Sequence, residues 1–261
     1  MAIRSRRFVD LSVTLENGTF ADPPPLTPQI DYLSHAEGAT EMAGMFPGLN
    51  TADLPDGEGW AAETLRITAH NGTHMDAPWH YASTMDSGKR AIGIDELPLE
   101  WCFAPGVKLD FRHLADGYVA TAADVAAELQ RVGYELKPFD IVLVNTAAAA
   151  NYGTPRYLKS GCGMGREATL YLLERGVRVV GTDAWSWDAP FSFTAQRFKE
   201  TGDVSIIWEG HKAGRDIGYG QMEKLSNLDQ LPPFGFTVSC FPYKIKGGSA
   251  GFTRAVAIFE E

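Results

Sequence analysis

The 261-residue sequence has few cysteines, no excess of basic charge and no long apolar run. Its three cysteines, Cys102, Cys162 and Cys240, are widely spaced, which favours reduced thiols over a disulfide framework. The formal net charge of -10 argues against binding to nucleic acid, because phosphate neutralisation needs a clustered excess of Lys and Arg. No apolar stretch approaches the roughly 18 residues of a membrane span, and the basic start lacks the apolar core of a signal peptide. We therefore predict a cytoplasmic protein that binds neither nucleic acid nor membrane.

The apolar pattern predicts an α/β fold in a single domain that covers residues 1–261. Hydrophobic residues make up 44% of the chain and charged residues 21%, which is typical of a globular protein with a packed core. Helices and strands alternate in the middle of the chain, whereas its ends are rich in strands, as in mixed α/β domains. Strands are predicted at residues 8–15, 63–68, 140–145, 177–181, 234–240 and 255–259.

Capping and turn residues predict two helices and one long loop. The first helix follows the N-cap residue Thr121, has Asp124 in its first turn and stops at Gly133. The second covers residues 165–176. Residues 17–62 are rich in Pro, Gly and Asp and are predicted to be irregular; connections of this length tend to be functional or mobile.

Three of the six histidines of the chain lie in one short segment, HNGTHMDAPWH, at residues 70–80. Four of its polar side chains project from one face of an extended chain: His70, His74, Asp76 and His80. A straight strand would hold His70 and His74 about 13 Å apart, too far to share an ion bound at about 2.1 Å. The chain must therefore bend, and Gly72 and Pro78 lie where bends would bring these side chains together.

Two imidazoles and one carboxylate predict an open, catalytic site for a divalent metal. Nitrogen and oxygen ligands together suit Zn, Mn, Fe or Co, whereas Mg and Ca favour oxygen alone. Structural zinc closes its shell with four protein ligands, so three ligands leave room for water. His80 is then available to act on the substrate or on that water.

The segment at residues 70–80 resembles the H-x-G-T-H-x-D-x-P-x-H signature of the cyclase family of metal-dependent hydrolases, which includes bacterial kynurenine formamidases and isatin hydrolases. The resemblance extends through FVDLSVTL (8–15), VVGTDAWSWD (179–188), EKLSNLDQLP (223–232) and FPYKIKGGSAGFTRAVAI (241–258). It implies a single domain with the swivelling β/β/α fold, in which helices flank central β-sheets. It also implies a homodimer or homotetramer.

The resemblance implies roles for particular residues of this chain. His70, His74 and Asp76 would bind the metal, and His80 would be the general acid and base. Family members with two metal positions use a later His and, twelve residues on, a Glu. His211 and Glu223 have this spacing here, which predicts His211 as a metal ligand and Glu223 as a catalytic residue. Glu209 and Gln221 are alternative oxygen ligands nearby.

Aromatic residues are predicted to line a pocket for a small aromatic amide. Several of them follow a predicted buried strand, where ligand sites of α/β proteins commonly lie, and aromatic rings stack on flat ligands. The predicted substrate-binding residues are Trp60, Trp79, Trp185, Trp187 and Phe191.

The Trp-Ser-Trp-Asp form of the 185–188 segment most resembles isatin hydrolases, which open the lactam of isatin to isatinate at a manganese site. The expected cofactor is therefore Mn²⁺, with Zn²⁺ as the alternative. Hydrolysis of N-formylkynurenine by a kynurenine formamidase is the alternative activity.

Two interpretations from other classes stay open. His74 and Asp76 form an H-x-D pair that, with a distant His, would suit a non-haem iron oxygenase. That interpretation gives no role to His70 or His80. A non-enzymatic metal-binding protein is the second alternative, and a bound ion without exchangeable water would favour it.

Overall fold

A nine-stranded β-sheet forms the centre of the computed structural model, which describes residues 5–260. The strands of the described chain are β1 (Arg6–Asp10), β2 (Gln29–Leu33), β3 (Ala62–Arg66), β4 (His74–Asp76), β5 (Thr84–Met85), β6 (Lys89–Arg90), β7 (Phe103–Asp110), β8 (Val119–Ala120), β9 (Ile141–Asn145), β10 (Gly163–Met164), β11 (Val179–Thr182), β12 (Gly220–Glu223), β13 (Phe236–Ser239), β14 (Ala250–Phe252) and β15 (Val256–Glu260). The α-helices are α1 (His35–Gly44), α2 (Pro78–Tyr81), α3 (Ala122–Val132), α4 (Arg166–Leu173), α5 (Phe191–Thr201) and α6 (Glu209–Lys212).

The large sheet is parallel in its middle and antiparallel on both sides. Its strand order is β1-β15-β13-β7-β9-β11-β12-β4-β14. The neighbours from β7 to β12 run parallel, and the remaining pairs are antiparallel. The pairs β2-β3 and β5-β6 form separate antiparallel sheets, and β8-β10 forms a parallel one. The α/β class predicted from the sequence is confirmed.

The core lies on both faces of the parallel strands. Every residue of β9 and β11 is buried, as expected of strands covered on two sides. Along β9, Ile141 and Leu143 pack into a cluster with residues of the outer antiparallel strands, whereas Val142 and Val144 pack beneath α3 and α4. This alternation follows from the two-residue period of a strand.

The strongest predictions from the sequence correspond to observed elements. Each of the six predicted strands overlaps an observed strand, although the strand predicted at 8–15 ends at Asp10. Helix α3 begins after Thr121, whose hydroxyl accepts from the backbone N–H of Asp124 at 3.2 Å, and ends at Gly133 in the left-handed conformation. The second predicted helix is α4, which begins after Gly165.

The prediction that residues 17–62 are irregular was wrong in two places. Strand β2 and helix α1 lie within this range. Helix α1 carries a glycine in its interior, which weakens its intrinsic helical preference. The capping box of Ser34 and Glu37 stabilises its first turn instead.

Strand β7 was also not predicted, because Pro105 and Gly106 interrupt its apolar pattern. No helix within the described range, residues 5–260, is both long and apolar enough to cross a membrane.

Candidate metal centre and substrate cavity

The segment at residues 70–80 changes direction at the two positions that the sequence indicated. Gly72 has a φ of 56°, in the left-handed region that favours glycine. Strand β4 covers only His74–Asp76, so the segment is not one straight strand, as the sequence analysis required. Pro78 then begins helix α2, which carries His80. A proline is well placed there because the first helical residue needs no N–H donor.

Strand β4 lies between β12 and β14, and this pairing builds the site. In the antiparallel pairing with β12, His74 lies opposite Glu223 and Asp76 lies opposite Gln221. Helix α6 precedes β12 in the chain and carries His211. Residues far apart in the sequence are therefore brought to the same point.

Four histidine side chains converge on the carboxylates of Asp76 and Glu223. His70 Nδ1 lies 2.9 Å from Asp76 Oδ1, and His74 Nε2 lies 3.3 Å from the same oxygen. The other oxygen, Oδ2, lies 3.8 Å from His80 Nε2 and 3.9 Å from His211 Nε2. Glu223 Oε2 lies 3.7 Å from His74 Nε2, and Oε1 lies 3.4 Å from His211 Nε2. The structure thus brings together all six residues predicted as metal ligands or catalytic groups.

Three buried polar atoms in this cluster have no hydrogen-bond partner within the described residues: His74 Nε2, Asp76 Oδ1 and Asp76 Oδ2. Buried polar atoms are normally paired, so this concentration of unpaired atoms at one point indicates a ligand site. His74 Nδ1 donates to the Gly72 carbonyl at 2.9 Å, which leaves Nε2 as the lone-pair nitrogen of the neutral ring. Two groups that share Asp76 have ligand atoms close enough together to hold a metal: His70, Asp76 and His80, and His74, Asp76 and Glu223. Both fit a divalent ion, since they offer nitrogen and carboxylate oxygen together.

The charges in the cluster stabilise the ionised form of Asp76 and the protonated form of His211. Burial alone would raise the pKa of Asp76, but the neighbouring His74, His211 and His70 hold the pKa well below its usual value. Burial alone would lower the pKa of His211, but its contact with Asp188 raises that pKa well above the ordinary value. The site therefore keeps the buried carboxylate of Asp76 ionised, as metal ligation requires.

Asp188 fixes the orientation of His211. Its Oδ2 lies 2.5 Å from His211 Nδ1, and it accepts the backbone N–H of His211 at 3.0 Å and that of Gly210 at 2.8 Å. A carboxylate on one ring nitrogen directs the other nitrogen, here Nε2, towards the centre of the site. Asp188 lies in the VVGTDAWSWD segment, but no pattern in the sequence indicated a role for it.

The oxygens of the two alternative ligands bond outside the cluster, although the amide nitrogen of Gln221 lies 3.0 Å from His211 Nε2. The amide Nε2 of Gln221 donates to Glu223 Oε1 at 2.7 Å, and its Oε1 accepts from the Tyr219 hydroxyl at 3.1 Å. Glu209 accepts the backbone N–H of Arg166 at 3.1 Å. Gln221 therefore holds Glu223 in place, and Glu209 caps the start of α4.

His80 lies at the edge of the cluster and is largely neutral at pH 7. Burial lowers the pKa of His80 to about 4, although the charge of Asp76 opposes this shift. Its ring lies 4.2 Å from the His70 ring and 5.1 Å from the Trp208 ring, measured between centroids. His80 can thus accept a proton at pH 7 beside the candidate metal ligands.

A cavity of about 270 Å³ opens directly onto these groups. Its aromatic and apolar walls come from Leu26, Trp185, Phe191 and Trp208. Asp22, Thr68, Ser186 and Lys224 supply further polar lining. Such a small, mostly apolar cavity with a few polar groups is typical of a site for a small molecule.

The five aromatic residues predicted to bind substrate are placed differently. Trp185 and Phe191 line the cavity. Trp187 is buried beneath it, where its indole N–H donates to Thr169 and its backbone N–H donates to Glu223 Oε1 at 3.0 Å. The ring of Trp79 is 47% exposed on α2. The indole of Trp60 donates to Glu41 of α1 at 3.3 Å.

Trp208 was not predicted as a site residue, although it lies three residues before His211. Its ring stacks on the His211 ring at 4.5 Å, and its backbone has a φ of 61°. This conformation is rare for a bulky residue and is found most often at functional sites.

The chain matches the model of the family described as "Putative cyclase" over residues 9–189. It is 28% identical to the kynurenine formamidase of Salinibacter ruber over 194 residues, which cover 74% of this chain and 77% of the relative. It is 26% identical to the kynurenine formamidase of Erythrobacter litoralis over 252 residues, which cover 96% and 93%. Isatin hydrolase A from Ralstonia solanacearum superimposes with a TM-score of 0.74 at 25% identity, covering 98% of this chain and 92% of that protein. The fold and family expected from the sequence are thus confirmed, and the chain belongs to the cyclase family.

Proposed function

We propose that this protein is a metal-dependent hydrolase that cleaves the C–N bond of a small aromatic amide, with isatin as its substrate and isatinate as its product. The observation that carries this proposal is the set of unpaired buried atoms on His74 and Asp76, beside a cavity with aromatic walls that His70, His80, His211 and Glu223 line. A metal ligand set beside an apolar pocket combines the two requirements of amide hydrolysis, activation and binding.

His70, His74 and Asp76 would hold the metal. His211 lies near Asp76 Oδ2, and Glu223, at the end of β12, lies near His74. A divalent ion in such a site activates water near pH 7 and polarises the carbonyl of an amide. The open character of the set supports this role, since only three ligands come from the 70–76 segment. Mn²⁺ is the proposed ion and Zn²⁺ the alternative, because nitrogen and carboxylate ligands serve both.

His80 would move the proton that the reaction requires. With its pKa lowered to about 4, its ring is neutral at pH 7 and can take a proton from the attacking water. It would then deliver this proton to the leaving nitrogen, since an amine anion is a poor leaving group. Its Nε2 lies 3.8 Å from Asp76 Oδ2, and the residue also lines the cavity.

Glu223 has one oxygen fixed and one oriented towards the ligands. Oε1 accepts from the backbone N–H of Trp187 and from Gln221, whereas Oε2 lies near His74 Nε2. Glu223 can therefore bind the metal or hold the attacking water through Oε2.

Trp185, Phe191 and Trp208 would select a flat aromatic substrate. The rings of Trp185 and Phe191 are perpendicular at 5.5 Å, and Trp208 covers His211. Isatin is a planar bicyclic ring of a size that fits such walls. Cleavage of N-formylkynurenine is the second candidate, and the similarity to two kynurenine formamidases favours it.

The test is to remove metal with a chelator, restore Mn²⁺ or Zn²⁺ separately, and assay isatin and N-formylkynurenine. We expect isatin turnover only in the metal-loaded protein. Turnover of N-formylkynurenine alone would favour the second candidate. Activity that needs Fe²⁺, oxygen and a cosubstrate would overturn hydrolysis in favour of an oxygenase.

A further inference from the structure

A buried ion pair lines the substrate cavity apart from the metal ligands. The ammonium of Lys224 contacts Asp22 Oδ1, and the two side chains are only 2% and 4% exposed. Both residues line the cavity that His70 and His80 also line. The pair joins residues that are 202 positions apart in the sequence.

Both carboxylate oxygens of Asp22 accept hydrogen bonds from neighbouring side chains. Asp22 Oδ1 also accepts the indole N–H of Trp185 at 2.9 Å, and Oδ2 accepts from Asn71 Nδ2 at 2.9 Å. On the other side, Lys224 Nζ donates to Asp22 and to the His70 carbonyl at 2.8 Å. An ammonium carries three hydrogens, and within residues 5–260 the hydrogen bonds of Nζ use two of them, while the centroid of the Trp185 ring lies 5.9 Å from Nζ.

The conformation of Lys224 indicates a role beyond stability. Its backbone has a φ of 57°, a left-handed conformation that is unfavourable for a lysine. A buried ion pair is by itself weak evidence for stability, because desolvation offsets the attraction between the charges. Strained residues that persist in a cavity wall are enriched at ligand sites.

We infer that Lys224 is a specificity-determining residue, whose third N–H donates to an oxygen of the substrate other than the carbonyl under attack. Asp22 and the His70 carbonyl fix the ammonium, so its remaining donor has one orientation. Apart from the histidines of the metal cluster, the other side chains of the wall that could donate to a substrate oxygen are neutral, chiefly the hydroxyls of Thr68 and Ser186. This inference rests on the proposed amide hydrolysis and adds a feature of the substrate to it.

The substrate class that follows is an aromatic amide with a second carbonyl close to the scissile bond. Isatin has this arrangement, because its ring ketone is adjacent to the lactam carbonyl. N-formylkynurenine has an aryl ketone on the ring carbon next to the formamide. Oxindole has the same bicyclic lactam as isatin without the ketone, so it is a matched ligand that lacks the proposed acceptor.

The test compares isatin with oxindole in the metal-loaded wild-type protein and in Lys224→Met. Oxindole is measured as a competitor of whichever amide the protein hydrolyses. Isatin is measured by its own KM if it is that amide, and otherwise as a competitor. Methionine keeps the length of the side chain but removes its donors. Loss of a hydrogen bond from a charged donor should weaken isatin binding about 10- to 100-fold, and oxindole binding should change less than about 2-fold.

Two further variants keep the test decisive. In Lys224→Met, Asp22 would be left buried without its cationic partner. The double variant Asp22→Asn, Lys224→Met is therefore measured in parallel. Lys108→Met is the matched control, because Lys108 is another buried lysine that donates to a backbone carbonyl, that of Leu231, outside the cavity. We expect the control to keep the wild-type preference for isatin.

Equal weakening of both rings in Lys224→Met and in the double variant would show a structural role and overturn the inference. An unchanged preference for isatin would overturn it as well. If the wild-type protein hydrolyses no amide with any metal, the proposed function fails, and the inference fails with it. Hydrolysis without an effect of Lys224 removes the inference alone.

Discussion

Replacing Asp76 with asparagine should remove most of the stabilisation that a metal gives to the folded protein. Both oxygens of this carboxylate face the histidine cluster, and both are buried without a hydrogen-bond partner in the described chain. The substitution keeps the shape of the side chain but removes its negative charge. The affected quantity is thermal stability, so the prediction holds whatever the substrate is.

The size of the effect follows from linkage between binding and folding. A ligand at 1,000 times its Kd stabilises the folded state by about 4 kcal/mol, which is roughly 8–16 °C in Tm for a chain of this size. Loss of a residue that only supports a metal ligand weakens metal binding about 10- to 100-fold. Loss of a ligand itself should therefore weaken metal binding by at least about 100-fold. At the same metal concentration, the metal then stabilises the folded variant by only about 1.4 kcal/mol, which raises its Tm by roughly 3–6 °C.

The assay is scanning calorimetry of the apo protein, titrated with Mn²⁺ or Zn²⁺. Asp140→Asn is a matched control, since Asp140 is equally buried but accepts from the Tyr134 hydroxyl and the Lys137 backbone, away from the site. We expect this control to have a lower Tm without metal and the full shift with metal. A full metal-induced shift in Asp76→Asn would refute the assignment of Asp76 as a ligand.

Two further predictions concern proton transfer and pH. His80→Ala should retain the metal, measured by elemental analysis, and lose about 10²- to 10⁴-fold in kcat, because a general acid and base is removed; unchanged turnover would contradict its role. The second concerns Asp183, where burial raises the pKa to about 7 against hydrogen bonds from Thr146 that lower it. An unfolded aspartate has a pKa of about 3.9, so the folded protein holds the extra proton between about pH 4 and 7. The contribution of Asp183 to stability is therefore greatest below pH 4 and falls as the pH rises through 7. Between pH 5 and 7, Asp183→Asn should become more stable relative to wild type by about 2 kcal/mol in denaturant unfolding; a pH-independent difference would contradict this.

The parts of the fold that were predictable are those whose signals are local. The β9 and β11 strands are continuous apolar runs, and the capping residues of α3 stand within one turn of it. Strand β4 has only three residues, and two of them are polar, so no apolar pattern marks it. Helix α1 was hidden by its glycine, and β7 by its proline.

The same distinction applies to the site. The histidines and aspartate of residues 70–80 could be found because their spacing, with Gly72 and Pro78 between them, is a local pattern. Asp188 and Trp208 act through contacts with His211, and Asp22 acts through Lys224. Those contacts depend on which strands become neighbours, and the spacing of residues along one segment carries no information about that.

The pairing of β4 with β12 also explains why the site and the core specify each other. Met75 and Met222 face each other in this pairing and are fully buried in the apolar core, while the flanking pairs place Asp76 and Glu223 in the polar cluster. A slip of the register by one residue would turn the polar side chains into the core and the methionines towards the cavity. Burial of unpaired carboxylates among apolar side chains is costly, so the apolar core excludes the shifted register. The energy that packs the two methionines therefore also holds Glu223 opposite His74, where the proposed metal chemistry needs it.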